Sequence, residues 1–395
     1  MVKSDMRAEL ERVYQTLFAW CRARNFAGHD PFDALNSRLF QATPLRHSRL
    51  ARLAWTQLGK RAPINLRPFL LVPHEQNAKG LALFALAALA RFRTTRTQED
   101  EQTARALLSD LLAHALDGYH GAAWGYNFDW QGRAFYAPRG TPAIVPTAFA
   151  ARALIAASDA FKDEAYLHVA RSTCDFIRRD LHRSEESADE VCFSYTPLDE
   201  TRVFNASLLA AETLASVGAR TKETKLVELA LHATRYVVRR QRADGSWAYG
   251  AAEFQTWADN FHTAFILTSL ARIMRVSPDQ RAEFAPALRR GYEFWRANFF
   301  LPDGWPKYFP NQNYPADAHA VGASLVALVE LQAYDAGALA LAERVARWSI
   351  SELRDARGFF YYQRRRFFTV RTPYMRWAQA WMLYGLASLL ETEKL

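Results

Sequence analysis

The sequence predicts an all-α chain in which a polar-faced helix repeatedly leads, through a loop of aromatic residues, into a nearly uncharged one. Three observations predict it. Residues 77–92, 143–157, 201–217, the stretch after Asp259, 315–333 and 373–390 are apolar on nearly every face, as helices buried on both sides must be. Amphipathic stretches with charge along one side alternate with them. The aromatic loops recur at roughly 55 to 70 residues, a helix-hairpin period unlike that of a TPR or ankyrin array. Six such hairpins close into a ring, an (α/α)6 toroid. An open solenoid would need a polar terminal cap, and the last helix, with Trp377, Trp381, Met382 and Leu383, is too apolar for one.

Residues 5–25 read as an amphipathic helix through Leu10, Val13, Leu17 and Cys21. The loop 29–37, His-Asp-Pro-Phe-Asp-Ala-Leu-Asn-Ser, gathers Asp30, Asp33 and Asn36. A less regular helical region covers 37–59, and Pro63, Pro68 and Pro73 bound a connector. Then come the first inner helix, 77–92, and its outer partner, 97–116. The aromatic loop 119–136 leads to the inner helix 143–157. The outer helix 163–181 leads through Phe193-Ser-Tyr-Thr-Pro to 201–217. In the outer helix 222–241, Arg239, Arg240 and Arg242 suit the negative end of the helix dipole, and Asp244-Gly245 marks a turn. Trp247, Tyr249, Phe254 and Trp257 crowd the loop that follows, and Asp259 or Asn260 caps the next inner helix. The outer helix 278–299 leads through Asp303-Gly-Trp to 315–333, and 336–355 through Gly358-Phe-Phe-Tyr-Tyr to 373–390. Strand is confined to short ribbons in the aromatic loops. Residues 1–395 are expected to form one domain, with 1–73 closing the ring and 74–395 supplying the regular hairpins.

The formal charge of +9 and pI of about 9.5 point to an anionic partner. The excess is uneven: Arg357, Arg364, Arg365, Arg366, Arg371 and Arg376 occur with no acid between Gly358 and Glu391. No zinc-finger, helix-turn-helix or RNP pattern accompanies it, so nucleic acid is not the expected partner. Neither a membrane span nor a secretory signal is expected, since apolar runs are short and the first residues are charged. Cys21, Cys174 and Cys192 are odd in number and lack metal-type spacing. Reduced thiols and a cytoplasmic location follow as expectations. Walker A, G-x-G-x-x-G, H-E-x-x-H and G-x-S-x-G patterns are missing, and neither a metal nor a cofactor is expected. Oligomeric state is not legible.

In such a ring the loops before the inner helices open on one end, where the helix N-termini favour an anion. That mouth collects Trp124, Tyr126, Trp130, Tyr136, Tyr195, Trp247, Tyr249, Trp257, Trp305, Tyr308, Tyr314, Tyr361 and Tyr362. Flat aromatic faces with a polar rim suit sugar rings, although the same residues could merely pack the loops together. Asp259 with His262, and Asp317 with His319, recur at the starts of successive inner helices and are candidate acids and bases. N-capping is the competing role for the aspartates, and core packing for the histidines. Tyr361 beside an Arg cluster suits proton transfer next to a uronate carboxylate. Asp33, Asn36, Asn205, Tyr362, Arg364, Arg371 and Arg376 complete the candidate substrate-binding set. A carboxylate pair across the mouth would serve glycoside hydrolysis instead. Epimerase, lyase and hydrolase stay open, as does a glycan-binding or assembly factor without catalysis.

The openings 29–37, Asp303-Gly-Trp305 and Tyr314-Pro-Ala-Asp-Ala-His319 resemble those of the six-hairpin carbohydrate-active superfamily. That superfamily includes N-acylglucosamine 2-epimerases, glucuronyl C5-epimerases and unsaturated glucuronyl hydrolases. The nearest likeness is to a VpsJ-like branch encoded with exopolysaccharide and O-antigen biosynthesis. It implies an anionic or lipid-linked oligosaccharide as substrate. The stretch 236–247, ending Gln-Arg-Ala-Asp-Gly-Ser-Trp, is also similar to the Gln–Trp repeat of triterpene cyclases. The cyclases' D-x-D-D acid and the prenyl synthases' D-D-x-x-D are absent, which makes a terpene cyclase-like α/α barrel the least favoured alternative and leaves the repeat as support for an α/α ring.

Overall fold

The structure is a computed structural model and describes residues 2–392. In chain order the helices are α1 (Val2–Arg22), the short α2 (Arg38–Gln41), α3 (Arg49–Arg61), α4 (Ala78–Thr95), α5 (Gln98–Ala113), α6 (Ile144–Phe161) and α7 (Glu164–Arg179). There follow α8 (Phe204–Thr221), α9 (Thr224–Val238), α10 (Asn260–Val276), α11 (Arg281–Phe299), α12 (Ala318–Glu330), α13 (Ala338–Leu353) and α14 (Trp381–Leu390). The even-numbered helices from α4 to α14 pack in sequence, and α14 returns onto α4, so the inner ring is closed. Helices α5, α7, α9, α11 and α13 each pack outside their predecessor. The sixth outer place is taken by α1, which packs on α14. There Arg7 donates to the carbonyls of Leu390 and Thr392 at 2.8 and 3.2 Å, satisfying the last helix end.

The all-α toroid read from charge alternation is therefore the observed architecture. The inner helices are buried along nearly their whole length; α6 is long and apolar enough to cross a membrane, yet 72% of it is buried inside the ring. Helices α4, α6 and α8 run three or four residues beyond the sequence expectation, whereas α12 stops at Glu330, three residues short of it. Helices α4, α6 and α8 stop at Arg96, Lys162 and Lys222, each left-handed with φ near +56 to +60°. Glycine normally marks such a cap, and none is present to announce it. The last inner helix opens with a π-helical turn, Met375–Ala380, that turns Arg376 and Trp377 inward.

Repetition shows in how outer helix ends are tied down. Trp124 Nε1 donates to the Leu111 carbonyl at 2.8 Å, and Trp247 Nε1 to that of Val237 at 2.9 Å. Each loop tryptophan thus satisfies a carbonyl at the end of the preceding outer helix. Gln241 donates to Ala287 and accepts from Arg290, joining that hairpin end to α11.

Strands are few: β1 (Trp130–Gln131) with β2 (Tyr136–Ala137), β3 (Arg183–Ser187) with β4 (Glu190–Phe193), and β5 (Ala316–Asp317) with β6 (Gln363–Arg364) and β7 (Thr369–Val370). Strand β3 is polar and β4 is buried, and the hairpin departs from the aromatic ribbons expected. Arg239 bridges Asp189 and Glu190, and Arg240 bridges Glu190, so two arginines assigned to the helix dipole act across to this hairpin. Cys21, Cys174 and Cys192 are buried thiols.

Inner helices α12 and α14 touch backbone to backbone at Gly322 and Gly385. A Cβ at Gly322 would stand 2.4 Å from the Trp381 carbonyl oxygen. Gly322→Ala is expected to lower stability by about 1–3 kcal/mol, measured from the midpoint of chemical unfolding.

Candidate functional site

The loops ahead of the inner helices converge on a cavity of about 320 Å³ at one end of the ring. Two histidines look into it. Asp259 caps α10, accepting from the backbone N–H of His262 at 3.0 Å, and its second oxygen takes Nδ1 of the same residue at 2.7 Å. Asp259 is buried, whereas the His262 side chain is 23% exposed. A carboxylate on Nδ1 fixes the tautomer and leaves Nε2 as a base directed at the cavity.

His319, near the start of α12, lies in the same wall but has no protein partner on either ring nitrogen. Its imidazole is 1% exposed and packed by Phe261, Trp377 and Trp381 at 4.4, 4.2 and 4.9 Å between ring centroids. Burial, then the charges of Lys79, Arg376 and His262, pushes its pKa well below the usual imidazole range. It is neutral, so one nitrogen carries a hydrogen. Phe261 stands between the two imidazoles, 4.0 Å from His262.

Lys79 reaches the cavity from the second residue of α4. Its ammonium lies 4.7, 5.2 and 5.3 Å from the rings of Phe149, Phe265 and Trp381, and burial pushes its pKa well down. Lys60 enters from α3, with its ammonium 4.6 Å from the Phe32 ring. The remaining wall is aromatic: Tyr126 and Tyr195 share a hydroxyl–hydroxyl bond of 3.1 Å, and Tyr249 stacks on Trp257 at 4.8 Å. The Oδ1 of Asn205 is buried without a partner. Unpaired buried polar atoms around one void mark a place prepared for a polar ligand.

Of the residues singled out from sequence, Asp259, His262, His319, Tyr126, Trp130, Tyr195, Asn205, Tyr249, Trp257, Tyr308 and Arg376 line this cavity. Arg376 holds Asp30 through two bonds of 2.6 and 2.7 Å. Asp317 does not line it. As N-cap of α12 it accepts from His319 N–H, and also from Gln363 Nε2 and Trp377 Nε1 at 2.7 and 2.9 Å. Burial lifts its carboxyl to about 6 despite those donors. Its oxygens are consumed in aiming Trp377, which makes it a positioning residue.

Tyr361 donates to Asp355 outside the cavity, with Arg371 over its ring. Trp124 and Trp247 are enclosed between helices, and Tyr362 is buried against Tyr374. Trp305 packs on Tyr314 and Trp348. Arg364 bonds Thr369: along β6, Gln363 turns inward and its neighbour outward, as strand alternation requires. Asp33 is paired with Arg67, and Asn36 bonds the backbone of Asn127 and Asp129. Lys79 was missed. Its signal was its solitude: it is the sole charge of α4 before Arg91.

Because the folded pKa of His319 is depressed, the unfolded chain binds its proton first on acidification. Its contribution to stability is intact above about pH 6.5 and is lost as pH falls below that value. Unfolding midpoints of wild type and His319→Gln, measured from pH 7.5 to 5 in steps of about half a unit, are expected to converge toward the acid end.

No family model and no curated protein matches the sequence. Solved structures do. Cellobiose 2-epimerase from Bacillus thermoamylovorans superposes with a TM-score of 0.63 at 13% identity, over 80% of this chain and 87% of that one. D-mannose isomerase gives 0.60 at 14%, over 80% and 86%. A possible GH105 member from Salmonella enterica serovar Paratyphi A gives 0.61 at 10%, over 98% and 93%. The chain has the six-hairpin (α/α)6 toroid fold of these carbohydrate-active proteins.

Proposed function

We propose that the chain is a carbohydrate-active enzyme that moves a proton on a saccharide, an epimerase or isomerase of exopolysaccharide or O-antigen biosynthesis. The observation that supports it most is the pair of imidazoles across Phe261, one oriented by a buried carboxylate and the other neutral with both nitrogens open. His262 Nε2 takes the proton from the carbon beside a carbonyl, and Asp259 stabilises the imidazolium that results. The electron pair moves onto the carbonyl oxygen, where Lys79 and the N–H of His319 meet the developing charge. If the intermediate turns over in the cavity, return of the proton from His262 Nε2 reaches the opposite face of that carbon and gives the epimer; delivery to the former carbonyl carbon, with the neighbouring hydroxyl proton passing to the old carbonyl oxygen, gives the isomer.

The aromatic wall stacks the sugar ring, and Asn205 takes a hydroxyl. An anionic group, such as a uronate carboxylate or the diphosphate of a lipid-linked glycan, meets Lys60 and the exposed Arg133 at the rim. Glycoside hydrolysis is less favoured. Among the described residues Asp259 is the one carboxylate in the wall, and a hydrolase needs two with free oxygens.

The test is solvent exchange. A panel of neutral, uronic-acid and lipid-diphosphate saccharides, incubated with the protein in D2O, is followed by NMR. One substrate is expected to gain deuterium at a single carbon. His262→Asn is expected to slow that exchange by about a thousandfold with the fold intact, and Asp259→Asn by at least about a hundredfold. Saccharide binding without exchange, or exchange indifferent to His262, would instead mark a glycan-binding or assembly factor.

A further inference from the structure

Residues 34–74 carry seven Arg or Lys and not one Asp or Glu. Within them α3 lies across the cavity rim. Its inner side faces the cavity through Leu53, Thr56 and Lys60, and Trp55 fixes it by donating to the Ala34 carbonyl at 3.0 Å. The opposite side is bare: Leu50, Ala54, Leu58 and Arg61 recur at helical spacing and all are exposed. In the connector that follows, Ile64 and Phe69 are 64% and 77% exposed.

A second acid-free stretch adjoins it. At the β6–β7 turn Phe367 is 84% exposed beside Arg366, and no acid occurs between Gly358 and Glu391. The two stretches are held together where buried Arg67 donates to Tyr374 at 2.6 Å, and they bring the like charges of Lys60 and Arg365 within electrostatic reach of each other. Of the large hydrophobic side chains exposed among the described residues, nine of 14 fall in 39–71 and at Phe367 and Phe368. Such concentration on one rim is not the scatter of an ordinary surface. Arg46 and Arg49 donate to the carbonyls of Gln41 and Arg133 and, among the described residues, meet no carboxylate.

We propose that this rim docks on an anionic lipid bilayer, with Arg46, Arg49 and Arg61 against the headgroups and Leu50, Phe69 and Phe367 inserted at the acyl boundary. Charge selects the partner: two adjoining stretches that carry arginine and lysine and no acid of their own are complementary to anionic lipid. The apolar tips select a bilayer over a nucleic acid, because a polyanion has no use for exposed leucine and phenylalanine, whereas an interfacial helix needs them. They protrude and are interleaved with arginine, unlike a groove cut for a partner helix. Docked so, the mouth of the cavity faces the membrane surface. The inference concerns where the cavity is presented and stands whether or not the proton chemistry does.

Cosedimentation of the purified full chain with vesicles decides it. The chain is expected to pellet with phosphatidylcholine–phosphatidylglycerol vesicles and to stay in solution with phosphatidylcholine alone. Neutralising Arg46, Arg49 and Arg61 to Gln should lower partitioning about a hundredfold. Leu50→Glu with Phe367→Glu should lower it by at least about tenfold, and Leu50→Ser with Phe367→Ser serves if the glutamates disturb folding. Absence of binding to the anionic vesicles overturns the proposal. So does binding that both apolar double variants leave unchanged, or that duplex DNA abolishes in competition. A wild-type dimer whose dissociation by the apolar variants leaves vesicle binding unaltered would assign the surface to a second copy and also overturn it.

Discussion

Two buried ion pairs at the seam of the ring set the rest of the structure. Asp30 holds Arg376 through both oxygens, and Asp33 holds Arg67 at 2.5 Å, with Arg67 passing on to Tyr374. They join the loop that follows the first helix to the segment that opens the last inner one. Arg67 and Arg376 each have under 5% of the side chain exposed, so removing one partner would strand a buried charge at a cost of about 3–5 kcal/mol. Such pairs add little net stability, but they specify register. Here the register decides which residues of the π-helical turn, Arg376 and Trp377, enter the cavity wall.

From that seam the site follows by geometry. Closure points the inner-helix N-termini at one mouth, and each N-cap position comes close to the axis. Asp259 and Asp317 occupy equivalent positions yet do different work. Asp259 spends one oxygen on the backbone and one on His262; Asp317 spends its oxygens on Trp377, Gln363 and the backbone of His319. The consequence is two histidines of unlike character, one supported as a base and one held neutral. Lys79 beneath them stands on aromatic faces instead of a carboxylate, so its nitrogen is left for whatever enters.

The ring was legible because burial on both sides strips a helix of charge, and that stripping survives in composition. Asp259, His262 and His319 were legible because an aspartate cap with a histidine in the first turn recurs in successive inner helices. What the sequence hid was direction. The aromatics of the mouth look alike in a string, yet Trp124 and Trp247 cap helix ends while Trp130 and Trp257 line the cavity. Arg364 and Gln363 are neighbours facing opposite ways on a two-residue strand whose register is set by β5, distant in sequence. The left-handed caps at Arg96, Lys162 and Lys222 are likewise tertiary choices that override local preference.

The central claim is that a saccharide seats against the cavity wall that carries His262 and His319. It is tested most directly by following both imidazole ring signals by NMR while saccharides from the neutral, uronic-acid and lipid-diphosphate classes are added. The account predicts that one class moves both sets of signals together to a common saturation point. Saturable saccharide binding that leaves both imidazoles unmoved would contradict it.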